Sequence, residues 1–152
     1  MKKQELDSLE NERLIWACAE PFVMKTRGRS GSEKLAVYRE LSGGQRSLYL
    51  FQVLYGHAGN GLGEFYAHIS YLTGQLDIFA ALKAAMRYFG DSPMLELVGK
   101  MESVFAARAK GEDDPESLEE LNKLYRQYLP GTIAHISAHI RSHPEVFLQL
   151  EE

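Results

Sequence analysis

Hydrophobic residues recur at three- and four-residue steps along most of the chain, which is the spacing of one face of an α-helix. One such stripe lies near the middle of the chain and consists of Leu76, Phe79, Leu82, Met86 and Phe89. Similar stripes follow at 94–105 and 118–128. Alternating patterns typical of strands do not occur, and no hairpin dipeptide separates two hydrophobic runs. The pattern predicts an all-α protein, a single-domain bundle of about seven helices.

Proline, glycine and capping residues predict where these helices begin and end. Ser92-Pro93 and Asp114-Pro115 are typical helix starts, because an oxygen caps free N–H groups and proline has no N–H to lose. Glycine most easily takes the left-handed conformation that ends a helix. It follows three periodic runs, at Gly74, Gly90 and Gly111.

A chain of 152 residues suits one domain. We expect the single all-helical domain to span 1–152, with an N-terminal helix and loop at 1–32 and a helical core at 33–152. The first helix is expected at about 3–24, and Pro21 should kink it or end it early.

The segment LSGGQ, at 41–45, has the letters of a nucleotide-binding signature, but its surroundings favour a helix start. Ser42 and Gln45 have the spacing of a capping box, in which each side chain bonds the other residue's backbone N–H. A phosphate-binding loop needs glycine beside lysine and then a hydroxyl, and GRSGSEKL at 28–35 lacks both. The next run, RSLYLFQVLY, is hydrophobic on nearly every side and predicts a buried central helix.

Composition limits the classes of function. The net charge of −4 argues against non-specific nucleic-acid binding, and the longest apolar run, at 48–55, is far shorter than the ~20 residues of a membrane helix. No signal-peptide core follows the first residues, and Cys18 is the only cysteine. We expect a cytoplasmic protein with no cofactor, and a Cys18 thiol made unreactive by its apolar neighbours.

The segment GHAGNGLGEFYAHIS, at 56–70, offers the best candidates for chemistry. Glu64 and His68 share one helix face, and His57 ends the preceding helix. A carboxylate and two imidazoles can ligate a divalent metal or act as acid and base. A metal-dependent enzyme or metal-binding protein using His57, Glu64 and His68 is therefore the alternative hypothesis. The plainer interpretation is that the glycines form a turn, which Glu64 and His68 cap or pair across.

Two weaker candidates lie elsewhere. His135, His139 and His143 are spaced four residues apart, so two neighbouring histidines could share a metal ion. His135 and His143 would be about 12 Å apart along the helix, so all three cannot bind one ion. Packing is the plainer explanation for these histidines. Arg27 and Arg29 lie in a basic loop that could bind a phosphate group or a single strand of nucleic acid.

The chain resembles the bacterial DNA-mimic-protein-like domain family, whose turn has the pattern N-G-G-F-x-Q-[FY]-F-x-N. In the turn at 59–68, Gly61, Phe65 and Tyr66 match that pattern and Asn60 is displaced by one. The family's other positions hold Leu62, Glu64 and His68 here, and the SHPEVF segment at 142–147 supplies Pro144, Glu145 and Phe147. The resemblance implies an all-α, often dimeric protein that acts by contact with another protein.

In a DNA mimic, carboxylates are spaced like phosphates. The candidates for such a strip here are Glu112, Asp113, Asp114, Glu116, Glu119 and Glu120.

The leading hypothesis is therefore a non-enzymatic protein-interaction module, regulatory or DNA-mimic-like. We expect a protein partner, with a homodimer left open, and neither a membrane nor direct nucleic-acid contact. The predicted contact residues lie in the turn and the acidic strip: Asn60, Gly61, Glu64, Phe65, Tyr66, His68, Glu116, Glu119 and Glu120.

Overall fold

The computed structural model describes residues 1–70, 76–148 and 150, and in these residues the chain forms nine α-helices and no strand. In chain order the helices are α1 (Lys3–Ser8), α2 (Asn11–Thr26), α3 (Gly31–Glu40), α4 (Gly43–His57), α5 (Leu62–Ile69), α6 (Ile78–Phe89), α7 (Ser92–Ala109), α8 (Pro115–Ser142) and α9 (Pro144–Phe147). The all-α prediction is confirmed, whereas the helices are more numerous than predicted. The helix end predicted at Gly74 lies outside the described residues.

The N-terminal region differs from its prediction because it contains two helices where one was expected. The chain is extended at Leu9 and Glu10, between α1 and α2. Arg141 of α8 stabilises this break, since its guanidinium donates to the carbonyl oxygens of Leu6 (2.9 Å) and Leu9 (2.6 Å). Pro21 does not end α2, which continues to Thr26.

Helix α3 begins inside the segment that was expected to be a loop. Ser30 and Glu33 form a capping box, in which the Glu33 N–H donates to Ser30 Oγ (3.3 Å) and the Ser30 N–H donates to a Glu33 carboxylate oxygen (3.5 Å). The loop between α2 and α3 is therefore only a few residues long, and it holds Arg27 close to the start of α3.

The LSGGQ segment starts a helix, as predicted. The Gln45 N–H donates to Ser42 Oγ (3.3 Å), and the Ser42 N–H donates to Gln45 Oε1 (3.0 Å). Within the described residues α4 packs against α2, α3, α5, α6 and α9. Leu48, Phe51 and Leu54 are fully buried, but another side of the helix stays partly exposed. The central position predicted for this helix stays a prediction.

The start of α7 corrects one predicted cap. Asp91, not Ser92, is the N-cap, and it accepts a hydrogen bond from the Met94 N–H (3.1 Å). Asp91 is only 4% exposed, and its second carboxylate oxygen accepts a hydrogen bond from the Thr132 hydroxyl of α8. Asp114 caps α8 as predicted. Asp91 therefore joins two long helices as well as starting one of them.

The glycine-rich turn at 58–61 sets the position of α5. Gly61 has φ +122°, a conformation that side chains other than glycine rarely adopt. The next N–H, of Leu62, donates to Asn122 Oδ1 on α8 (2.8 Å). This turn therefore fixes the start of α5 against α8.

Candidate binding groove

A groove of about 320 Å³ lies between α2, α3, α4 and α5, and we call it the basic groove. Its polar and charged lining side chains come from α2 and the residue after it, α3, α4 and α5: Trp16, Thr26, Arg27, Lys34, Tyr49, Gln52, His57 and His68. The volume is at the lower end of the range for small-molecule sites. The groove is therefore large enough to hold a small ligand.

His57 and His68 both line the basic groove and lie against each other. Their rings are stacked, with centroids 3.6 Å apart and planes inclined by 14°. Burial lowers the pKa of both rings below the usual value for histidine. Lys34 lowers the pKa of His57 further, while His57 and then Lys34 add to the lowering for His68. The surroundings thus favour neutral rings that an added negative charge would help to protonate.

Two permanent cations also line the basic groove. Lys34 lies in the first half of α3, and Arg27 is the C-cap residue of α2, directly after Thr26. In the described part of the chain, no aspartate or glutamate is among the lining residues. Arg29, two positions from Arg27, instead pairs with Glu33 (3.1 Å). The groove consequently presents a local excess of positive charge.

A smaller apolar cavity, of about 50 Å³, adjoins the basic groove. Leu35, Tyr38, Leu50, Leu76 and Ile78 are among its lining residues. Lys34, Tyr49, Val53 and His68 line both spaces. The two spaces are therefore neighbours that share part of their lining, and the smaller one has more apolar side chains around it.

The predicted metal ligands are only partly brought together. His57 and His68 meet, but Glu64 is exposed on α5. Among the described residues, no group of three or more His, Cys, Asp or Glu side chains is arranged to hold a metal ion. His135 is exposed, while His139 stacks on His143 (4.6 Å between centroids) and bonds the Tyr88 hydroxyl (2.9 Å).

The predicted contact residues of the turn have different environments. Asn60 and Glu64 are exposed, whereas Phe65 is fully buried in the core. Tyr66 stacks on Phe105, with centroids 4.4 Å apart. In the folded chain Phe65 therefore serves packing.

The acidic strip begins just before α8 and continues on the first turns of that helix. Glu116, Glu119 and Glu120 are all exposed there. Glu119 lies 3.7 Å from Arg126, while Asp114 is used as the helix cap. The strip is therefore a surface feature, well separated in sequence from the residues of the basic groove.

Two further predictions concern the reactivity of the Cys18 thiol and membrane-spanning helices. Cys18 is fully buried, and burial raises the pKa of its thiol to about 12, as the apolar context predicts. In the portion of the chain that the structure covers, no helix is both long and apolar enough to cross a bilayer.

Sequence reasoning missed the lysine and aromatic members of the basic groove. The sequence did contain one indication of the basic groove. Gln52 is the only amide in the run LYLFQVLY, and a polar residue there indicates a side of α4 that is not covered by apolar neighbours. Comparison with protein-family models, curated proteins and solved structures finds no match to this chain. The family resemblance drawn from 59–68 and 142–147 stays a prediction.

Proposed function

We propose that this chain is a non-enzymatic binding protein and that the basic groove is its binding site. The observation that carries the proposal is the convergence of Arg27, Lys34, His57 and His68, from four separate elements, on one groove without a lining carboxylate. Arg27 and Lys34 are the cations of this set, and cations that share a cleft raise the local concentration of anionic ligands. The groove is therefore suited to holding an anion.

The arrangement supports binding better than bond-breaking chemistry. The His57 and His68 rings are stacked face to face, so each ring covers a face of the other. The thiol of Cys18 lies in the core with a strongly raised pKa, which keeps it protonated. Neither feature resembles a nucleophile hydrogen-bonded to its base.

The proposal can be tested with an amphipathic anionic dye, anilinonaphthalene sulfonate. Trp16 is the only tryptophan and lines the groove, so bound dye should quench its fluorescence. We expect Lys34→Gln and Arg27→Gln each to weaken dye binding by about tenfold, because each removes one charge-assisted contact.

Arg29→Gln provides the matched control. It removes the same charge from the same loop, at a residue that pairs with Glu33 and does not line the groove. Its dye affinity should stay within about twofold of that of the parent protein, since exposed charges at a distance are screened. Equal weakening by all three variants, or no quenching of Trp16, would contradict the proposal.

A second candidate function is binding of a protein partner through the acidic strip, in a cytoplasmic protein that resembles DNA mimics. The observation that favours it is the exposure of Glu116, Glu119 and Glu120 on consecutive turns of one helix. Co-purification with the triple Glu→Gln variant tests this. We expect loss of partners that the Glu96→Gln control retains, and retention of every partner by the triple variant would exclude mimicry. Gel filtration would show whether the partner is a second copy.

A further inference from the structure

We infer that the ligand of the basic groove is a small carboxylate with an apolar body, and that its binding is coupled to proton uptake by His57 and His68. The inference rests on the proposed binding function. It adds the chemical class of the ligand and the pH dependence of its binding.

The charged part of the site determines the head group. Arginine presents a planar fork that matches a carboxylate, and lysine adds a compact point charge. Arg27 and Lys34 line the same groove of about 320 Å³, and the lining residues supply no negative charge to neutralise them. An anionic head group is thus complementary to this end of the site.

The apolar part of the site determines the body of the ligand. Val53 lines both spaces, and the aliphatic side chains of Leu35, Leu50, Leu76 and Ile78 line the smaller one. Each methylene group that leaves water for such a space gains about 0.8 kcal/mol. A carboxylate with a slender aliphatic body would match the two linings, with its head group in the basic groove and its body against the smaller cavity.

The capping box at the start of α3 makes this helix end less suited to a phosphate. Phosphate sites commonly use the free N–H groups at a helix N-terminus. Here the Glu33 N–H is bonded to Ser30 Oγ (3.3 Å), and the Glu33 carboxylate accepts from the Ser30 N–H (3.5 Å). Glu33 also places a negative charge at this helix end. The cations left for a head group are therefore the side chains of Arg27 and Lys34.

Proton coupling follows from the position of the imidazoles. The charged or titratable side chains that line the groove with them are Arg27 on the α2 end, Lys34 on α3 and Tyr49 on α4. Burial and Lys34 lower the pKa of both rings, and His57 lowers that of His68 as well, so the free protein favours neutral rings. A bound carboxylate introduces the missing negative charge and raises the pKa of both rings.

Ligand binding should be tighter at low pH than at high pH. Because the pKa of the rings is higher in the complex than in the free protein, binding takes up protons and is tighter at low pH. Affinity should fall as the pH rises through the pKa of the liganded rings and become constant above it. One proton taken up corresponds to at most about a tenfold change in affinity per pH unit.

The experiment follows Trp16 fluorescence during titration with octanoate at about pH 6 and about pH 8. Octanol supplies the same chain without charge, acetate supplies the charge without the chain, and octyl phosphate supplies a phosphate head. We expect octanoate to bind at least about tenfold more tightly than octanol or acetate, and more tightly than octyl phosphate. We also expect octanoate to bind more tightly at the lower pH, and His68→Asn to reduce that dependence.

The outcomes distinguish this inference from the proposed function. Equal binding of octanoate and octanol, or tighter binding of octyl phosphate, would overturn the carboxylate assignment while leaving a binding groove. Octanoate affinity that is the same at both pH values would overturn the proton coupling. Quenching by the dye without any octanoate binding would overturn the inference alone. If neither the dye nor octanoate affects Trp16, the proposed function itself is wrong.

Discussion

Replacing Asp91 with alanine is expected to lower the free energy of unfolding by about 2–4 kcal/mol. Two lost hydrogen bonds contribute to this decrease in stability. The Met94 N–H loses the N-cap of α7, and the Thr132 hydroxyl loses a buried carboxylate partner. The loss is limited because Thr132 also donates to the Tyr128 carbonyl oxygen (3.3 Å). Urea unfolding followed by circular dichroism would measure the change.

Asp114 offers a matched control, since it caps α8 in the same way but is exposed. Its carboxylate accepts from the N–H groups of Glu116 and Ser117 (3.2 Å each). Asp114→Ala should cost about 1 kcal/mol, the usual value for an exposed N-cap. A Thr132→Val variant combined with Asp91→Ala should show a coupling energy of at least about 0.5 kcal/mol. Equal costs for the two aspartates, together with zero coupling, would show that the link between α7 and α8 contributes nothing.

Replacing Gly44 with alanine is expected to destabilise the fold by about 1–3 kcal/mol, the typical cost of overpacking. A methyl group on Gly44 would lie 2.6 Å from the Tyr88 hydroxyl oxygen and 2.6 Å from Val146 Cγ1. Tyr88 can move only by giving up its hydrogen bond to His139 (2.9 Å) and its contacts with neighbouring rings. In a domain of this size each kcal/mol lowers the melting temperature by roughly 2–4 °C.

The adjacent glycine provides the control within the same motif. A methyl group on Gly43 would meet nothing within 4 Å, so Gly43→Ala should be neutral or stabilise by up to about 1 kcal/mol. Tyr88→Ala should remove part of the cost of Gly44→Ala, because the hydroxyl and ring are gone. Equal melting temperatures for Gly43→Ala and Gly44→Ala would contradict the close contact at the start of α4.

The same pair of glycines illustrates what the sequence could predict. The capping box of Ser42 and Gln45 is a local pattern, and it correctly predicted where α4 begins. The close contact at Gly44 is not local, since it involves Tyr88 on α6 and Val146 on α9. For the same reason the exposed start of α8 was predicted correctly, whereas at α7 the buried Asp91 took the role expected of Ser92.

The basic groove shows the same limit for a site. His57 and His68 were recognised together because one turn separates them in the sequence. Trp16 and Lys34 lie far from that turn along the chain, and only the packing of α2 and α3 against α4 brings them to it. Periodicity predicts which side of a helix is buried, but it does not predict which helices leave a space between them.

We propose the basic groove as the ligand-binding site of this chain. Carbon–proton correlation spectra of the histidine rings, recorded with and without the naphthalene sulfonate dye, test it most directly. The chain has five histidines, and three of them, His135, His139 and His143, lie in or next to the C-terminal half of α8 as internal controls. We predict shifts at His57 and His68 with the other three unchanged. No shift at His57 and His68, or shifts only at the α8 histidines, would contradict the claim.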